Sequence, residues 1–285
     1  MATVRALGAR YLMLGTPDYP AALAEVENAP VAMTIRGRLE LLDRPMIAMV
    51  GARNASAAAC RFARDLAAEL TRRGVTIVSG LARGIDTAAH DGSIAGGGTI
   101  GVIASGIDIA FPPENAGLQE TIATEQLLIA EQPTGTQPLA RHFPHRNRII
   151  AGLAGGTIVV EAPPRLGSLI IARLAGEYGR EVMAVPGSPI DPSAQGCNGL
   201  IREGATLVQS ADDVMEAIGP IDARMARSRA VEFVPALAAT EIETGDRRTV
   251  HDLLGHAPVS VDELIRQAAI APALVQTVLL ELELA

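Results

Sequence analysis

The chain has 285 residues, 48% of them hydrophobic, and a mean hydropathy of +0.25, enough to bury one full core with room for a small second domain. Its formal net charge of -8 excludes a generic, all-over basic nucleic-acid binder, so any nucleic-acid site must be local. No apolar run approaches a membrane span, the first ten residues lack a secretory pattern, and Cys60 and Cys197 have neither disulfide nor zinc spacing. A cytoplasmic protein is expected, with no membrane association, no metal and no cofactor.

Residues 1–44 carry Tyr19-Pro20 and Ala29-Pro30 breaks and read as a lead-in packed on the main domain. From Pro45 the chain alternates short apolar runs with helical patterns, as parallel βαβ units do. The expected strands are Met46 to Val50, Thr76 to Val78, Thr99 to Ile103, Leu127 to Ile129, Thr157 to Val160, Glu181 to Val185 and Thr206 to Val208. Several have consecutive Ile and Val, the pattern of strands buried on both faces. A doubly wound, mostly parallel α/β domain over 45–218 follows. In its first helix Ser56 is placed to cap the start, Phe62, Leu66 and Leu70 share a face, and Gly74 ends it. Residues 219–248 have little periodicity and read as a linker. In 249–285, Val250 to Leu254, Val261 to Ala269 (capped by Ser260) and Ala273 to Leu284 are three helix candidates, with a turn at Ala271-Pro272.

The chemistry concentrates at strand ends. The first strand runs into Gly51-Ala52-Arg53-Asn54-Ala55-Ser56, a glycine turn that delivers an arginine and a helix N-terminus, a combination that favours phosphate. Taken alone, it reads rather as a tight turn with a solvated arginine. The second ends in Ser79-Gly80-Leu81-Ala82-Arg83-Gly84-Ile85-Asp86, bringing a second arginine to the same sheet edge. Asp86 and His90, four apart on the next helix, can pair. The densest signal is Arg141 to Arg148, with three arginines, two histidines, Phe143 and no acid. Arginine grips phosphate as a fork, and Phe143 offers a stacking face in a chain with 2% aromatic residues and no Trp. By itself this loop is as readily a solvated charge run; beside Arg53 and Arg83, phosphate binding is favoured. Further along, Gly167 and Ser168 start another helix at the same edge, while Glu161 is the acid at its strand end, a candidate general acid or a structural partner for an arginine. No nucleophile elbow, Walker loop or zinc-protease motif is present, which favours binding over catalysis. A nucleotide N-glycosidic-bond hydrolase using Gly155-Gly156-Thr157 and Glu161 is the alternative; a nicotinamide enzyme lacks its fingerprint.

Taken in order, Gly51-Ala52-Arg53, Ser79 to Asp86 with Ala89-His90, Phe143-Pro144 with Arg146-Asn147-Arg148-Ile149-Ile150, Val185-Pro186-Gly187 and Gly196-Cys197-Asn198 resemble the DNA-processing protein A (DprA, or Smf) family. The resemblance spans about Tyr19 to Ile218. It implies an extended Rossmann-like domain that binds and protects incoming single-stranded DNA in natural transformation, forms a homodimer and helps to load the RecA recombinase, with no enzymatic activity. By position it places Arg53, Arg83, Phe143, Arg146 and Arg148 along the DNA pocket, with Gly80, Gly167 and Ser168 allowing close approach; Gly51, Ser79 and Asn147 complete the candidate set. Gly98 stands where the family usually has a lysine, which is expected to remove one phosphate contact. The three terminal helices resemble the family's winged-helix domain, with the wing and the family's upstream helical domain not expected. The last helix carries Gln276, Thr277, Glu281 and Glu283 without Lys or Arg, so partner docking or a structural role is expected of it rather than DNA binding.

Overall fold

The computed structural model describes residues 2–164, 166–219, 244–254, 261–268, 270, 274–275, 278–279 and 282. In chain order the elements are α1 (Ala2–Ala6), β1 (Ala9–Met13), α2 (Ala21–Ala24), β2 (Ala32–Gly37), β3 (Met46–Val50), α3 (Ala57–Arg72), β4 (Thr76–Ser79), α4 (Ile85–Ile94), β5 (Thr99–Gly106), α5 (Ala116–Glu125), β6 (Leu127–Gln132), α6 (His142–Leu153), β7 (Gly156–Val159), α7 (Gly167–Glu177), β8 (Glu181–Ala184), α8 (Gln195–Arg202), β9 (Thr206–Leu207), α9 (residues 211–219), α10 (Thr244–Leu253) and α11 (Val261–Ala268). They fall in two units, Met1–Val231 and Glu232–Ala285. None of the described helices is long and apolar enough to cross a membrane.

All strands of the first unit join one sheet in the order β1-β2-β6-β5-β4-β3-β7-β8-β9. From β6 to β9 every pairing is parallel. The chain steps outward from β3 to β6, then returns to lay β7 on the other side of β3. That reversal makes the crevice outside the carboxyl ends of β3 and β7 the topological switch point, where ligands of such sheets sit. Every expected strand is present. The β3 side chains show why apolar residues run consecutively: Met46, Ala48 and Val50 enter one core, Ile47 and Met49 the other. Helices α6 and α7 cover the first face; α3, α4 and α9 cover the second, and α5 extends that cover over β5 and β6.

Two expectations need correction. The lead-in is part of the sheet: β1 and β2 pair antiparallel, and β2 pairs antiparallel with β6. The segment from Phe143 to Arg148 is not a loop but the first two turns of α6. Proline is tolerated in a first helical turn, whose N–H groups have no partner within the helix, so Pro144 does not stop it.

In the second unit, Val250, Leu264, Val275 and Val278 form a core of their own. Helix α10 begins at Thr244, so residues 244–248 of the stretch read as linker are helical. Residues 220–243 of that stretch, the Ser260 cap, the Ala271-Pro272 turn and the polar positions Gln276, Thr277, Glu281 and Glu283 lie outside the described residues, as does part of the third helix candidate.

Candidate nucleic-acid interface

The site is built from turns that leave the carboxyl ends of parallel strands. After β3, Ala52 donates to the Glu161 carbonyl at 2.7 Å, tying the first turn to the end of β7. A side chain at Gly51 would meet Ile85 and that same carbonyl, so glycine is needed there for close packing. The second turn then lies on the first. Gly84 has φ +73°, any side chain there would strike the backbone of Ala52 and Arg53, and Ile85 donates to the Ala52 carbonyl at 3.2 Å. Arg53 and Arg83 are thereby set close together, both exposed.

Within the second turn Leu81 is held at φ +58°, a left-handed conformation that costs a non-glycine residue on the order of 1–2 kcal/mol. The Asp86 carboxylate accepts from Gly80 and Ala82 N–H at 3.2 and 3.3 Å, and Asn115 Nδ2 donates to the Leu81 carbonyl at 2.9 Å. These three bonds hold the strained residue from both sides.

They also change what the glycine turns can do. Several of their N–H groups are already taken by carboxylates of the chain itself. Asp86 takes two of those of the second turn, at Gly80 and Ala82, and Glu161 takes the start of α3, accepting from Ser56 N–H at 3.1 Å and Ser56 Oγ at 2.7 Å. Ser56 Oγ in turn caps Ala59 N–H at 3.1 Å. Glu161 therefore has a serine and a helix N-terminus as its partners, not an arginine, and the strand-end acid required by the hydrolytic alternative is engaged. Asp86 and His90 do not pair; His90 Nδ1 instead meets Thr99 Oγ1 at 2.7 Å.

The three arginines of the α6 segment have different surroundings. Arg146 is buried, packs against Gly80, where a side chain would run into its guanidinium, and donates to the Val102 carbonyl at 2.9 Å. Burial pulls it down to about 10 despite the nearby Asp86 charge, and burial pushes Asp86 up to about 6. Arg148 forms an ion pair with Glu131 and its side chain is 14% exposed. Arg141, the residue preceding α6, is exposed. Asn147 is buried, and Ser79 is buried with its hydroxyl donating to the Met49 carbonyl at 2.7 Å.

At the surface, Arg53 lies over the Phe143 ring, 5.5 Å from its centroid, and makes no ion pair among the described residues. Arg83 faces Glu114 at 3.6 Å. Phe111, which sequence reasoning did not single out, meets Phe143 edge to face at 5.9 Å between centroids. The one available signal was an aromatic before Pro112-Pro113 just past a strand end. Nearby, α7 starts at Gly167 with no acidic residue in its first turn and no side-chain cap, and Ser168 Oγ is buried without a hydrogen-bond partner. Gly98, in contrast, precedes β5 at the amino edge, the length of an eight-residue strand away, on the order of 25 Å from the strand's other end.

A groove of about 600 Å³ opens between α7 and α8, lined by Leu169, Ala172, Arg173, Arg180, Glu181 and Glu203 among others. It includes none of the candidate residues, and its two arginines are balanced by two acids. Among the described residues no cluster of three or more His, Cys, Asp or Glu side chains is arranged to hold a metal; both cysteines are free, and burial pushes the Cys197 thiol up to about 11.

Fold and edge together define a class: a doubly wound α/β protein with arginine and aromatic side chains gathered at the switch point of its sheet. The DNA recombination-mediator protein A model matches residues 10–219 and the DprA winged helix domain model residues 234–285; the chain belongs to the DprA family. DNA processing protein DprA of Streptococcus pneumoniae is 47% identical over 198 residues, 69% of this chain and 70% of that protein. The crystal structure of the Streptococcus pneumoniae protein superposes with a TM-score of 0.70 at 44% identity, over 73% of each chain. DNA processing protein A from Helicobacter pylori, described for its single-stranded DNA binding mode, superposes with a TM-score of 0.67 at 27% identity, over 74% of this chain and 97% of that one.

Proposed function

We propose that the first unit binds single-stranded DNA across the carboxyl edge of its sheet, without catalysis, as a DNA-processing protein of natural transformation. The observation that carries this is Arg53: a guanidinium with no ion pair among the described residues, laid on an aromatic ring at the switch point, presents charge for phosphate and an apolar surface for bases in one place. Arg83, the uncapped start of α7 at Gly167 and Ser168, and the exposed Arg141 extend the positive face. Gly51, Ser79, Gly80, Arg146 and Asn147 serve it as framework beneath the surface, and Arg148 contributes through its pairing with Glu131. Gly98 takes nothing from this edge, because it lies at the other end of β5.

Fluorescence anisotropy with labelled oligo-dT at two salt concentrations tests the reading. Arg53→Ala is expected to weaken binding at least tenfold and to flatten the slope of log affinity against log salt by about 0.7, one single-strand phosphate contact. Unchanged affinity, or binding indifferent to salt, would rule this edge out. Homodimer formation in the cytoplasm and delivery of the strand to RecA complete the proposal on the strength of family membership; sedimentation and co-precipitation with RecA are the corresponding measurements.

A further inference from the structure

Phe111 has no role in the framework just described, yet it is 41% exposed in a chain with four Phe, three Tyr and no Trp. Phe111 therefore offers open apolar aromatic surface at this edge. It is also held in place. Pro112 and Pro113 restrict the chain on its C-terminal side, and Asn115 anchors the segment by donating at 2.9 Å both to the Leu81 carbonyl and to Thr87 Oγ1. On its other side it rests against Phe143 at an interplanar angle of 61°. Phe143 itself is partly buried and carries the Arg53 guanidinium on its ring, which leaves Phe111 as the more open aromatic surface of the pair. Arg83 and Glu114 lie alongside.

We infer that Phe111 is a base-stacking platform of this edge: an unpaired nucleobase lies on its open ring while flanking phosphates are held by Arg53 and Arg83. The inference rests on the single-stranded DNA reading above. The bland alternative is that Phe111 is an apolar cover for Phe143, and a leucine would serve that purpose as well as phenylalanine.

Anisotropy with the full chain distinguishes the two, using oligo-dT and a strand of equal length made of abasic sites. Phe111→Leu and Phe111→Ala are expected to weaken oligo-dT binding roughly tenfold or more, the range of one lost base–aromatic stack, and to leave binding of the abasic strand within about twofold of wild type. Phe111→Trp should restore oligo-dT affinity and, as the chain's single tryptophan, be quenched by oligo-dT but not by the abasic strand. Wild-type oligo-dT affinity in Phe111→Leu, or equal losses for both strands, overturns the stacking role while Arg53→Ala still reports the phosphate site. Absence of any binding by the wild type overturns the underlying reading and this inference with it.

Discussion

Arg146 and Asp86 close on Gly80 from two sides, one packed against its α-carbon and the other accepting its N–H. His90 sits in the same interior, and burial, reinforced by the Arg146 charge, lowers its imidazole to about 3. These shifts have opposite linkage signs. The folded state holds a proton on Asp86 between 3.8 and about 6, so in that window the group makes stability fall as pH rises. The unfolded state binds a proton at His90 below 6.5, which makes stability fall as pH drops towards 3. Each slope is about 1.4 kcal/mol per pH unit, and between about pH 4 and 6 they cancel. Asp86→Asn keeps an oxygen for the two N–H groups and removes one slope. Its urea-denaturation stability should therefore decline below pH 6 by about 1.4 kcal/mol per unit relative to wild type; parallel curves would show that Asp86 is ionised throughout. None of this was legible in the string Arg-His-Phe-Pro-His-Arg-Asn-Arg, where three like charges gave no hint which would be buried. What separates them is helix geometry: Arg146 and Asn147 turn inward with Ile149 and Ile150, and Pro144 and His145 face outward.

Helix N-termini explain why the edge is less open than its glycines suggest. Three of them meet near the switch point, and the sequence reading counted those of α3 and α7 towards phosphate binding. A carboxylate already occupies two: Glu161 at α3, and Asp86 over the turn leading into α4. An internal acid at such a position satisfies N–H groups that would otherwise be orphaned, and it complements the helix dipole. Glu161→Gln retains a hydrogen-bonding side chain without the charge. It is expected to lower stability by about 1 kcal/mol and to tighten oligo-dT binding roughly two- to fivefold, because a charge repelling phosphate has gone. Thermal denaturation and anisotropy on the same preparation check both signs; weaker DNA binding would mean that Glu161 orders the Arg53 turn more than it repels the strand. At this scale the parallel strands were readable because both faces bury apolar side chains in consecutive runs. β1 and β2 were not: β1 has two buried positions and three exposed ones, including Arg10, and in β2 Thr34 and Arg36 dilute the apolar signal of Met33 and Ile35. An antiparallel pair of this kind at the end of the sheet has no periodicity strong enough to outweigh the prolines around it.

For the whole molecule, the net charge of -8 sets the terms on which any strand is bound. A protein that repels DNA over most of its surface gains little from the long-range attraction that lets basic proteins coat duplex, so affinity must come from a few short-range contacts. In the proposed reading Arg53, Arg83, Phe111 and Phe143 supply those, and stacking on a ring requires bases that are not already paired. The edge lies wholly within the first unit, whose cores are separate from that of Val250, Leu264, Val275 and Val278. A fragment ending at Val231 should therefore bind oligo-dT with the affinity and salt slope of the full chain. Duplex of equal length should bind at least tenfold more weakly to both, since it offers phosphate to Arg53 but no free base face. If the fragment loses oligo-dT while the full chain holds it, phosphate contacts must be sought in residues 232–285. If duplex competes equally, the aromatic pair is not engaging bases and the edge recognises phosphate alone.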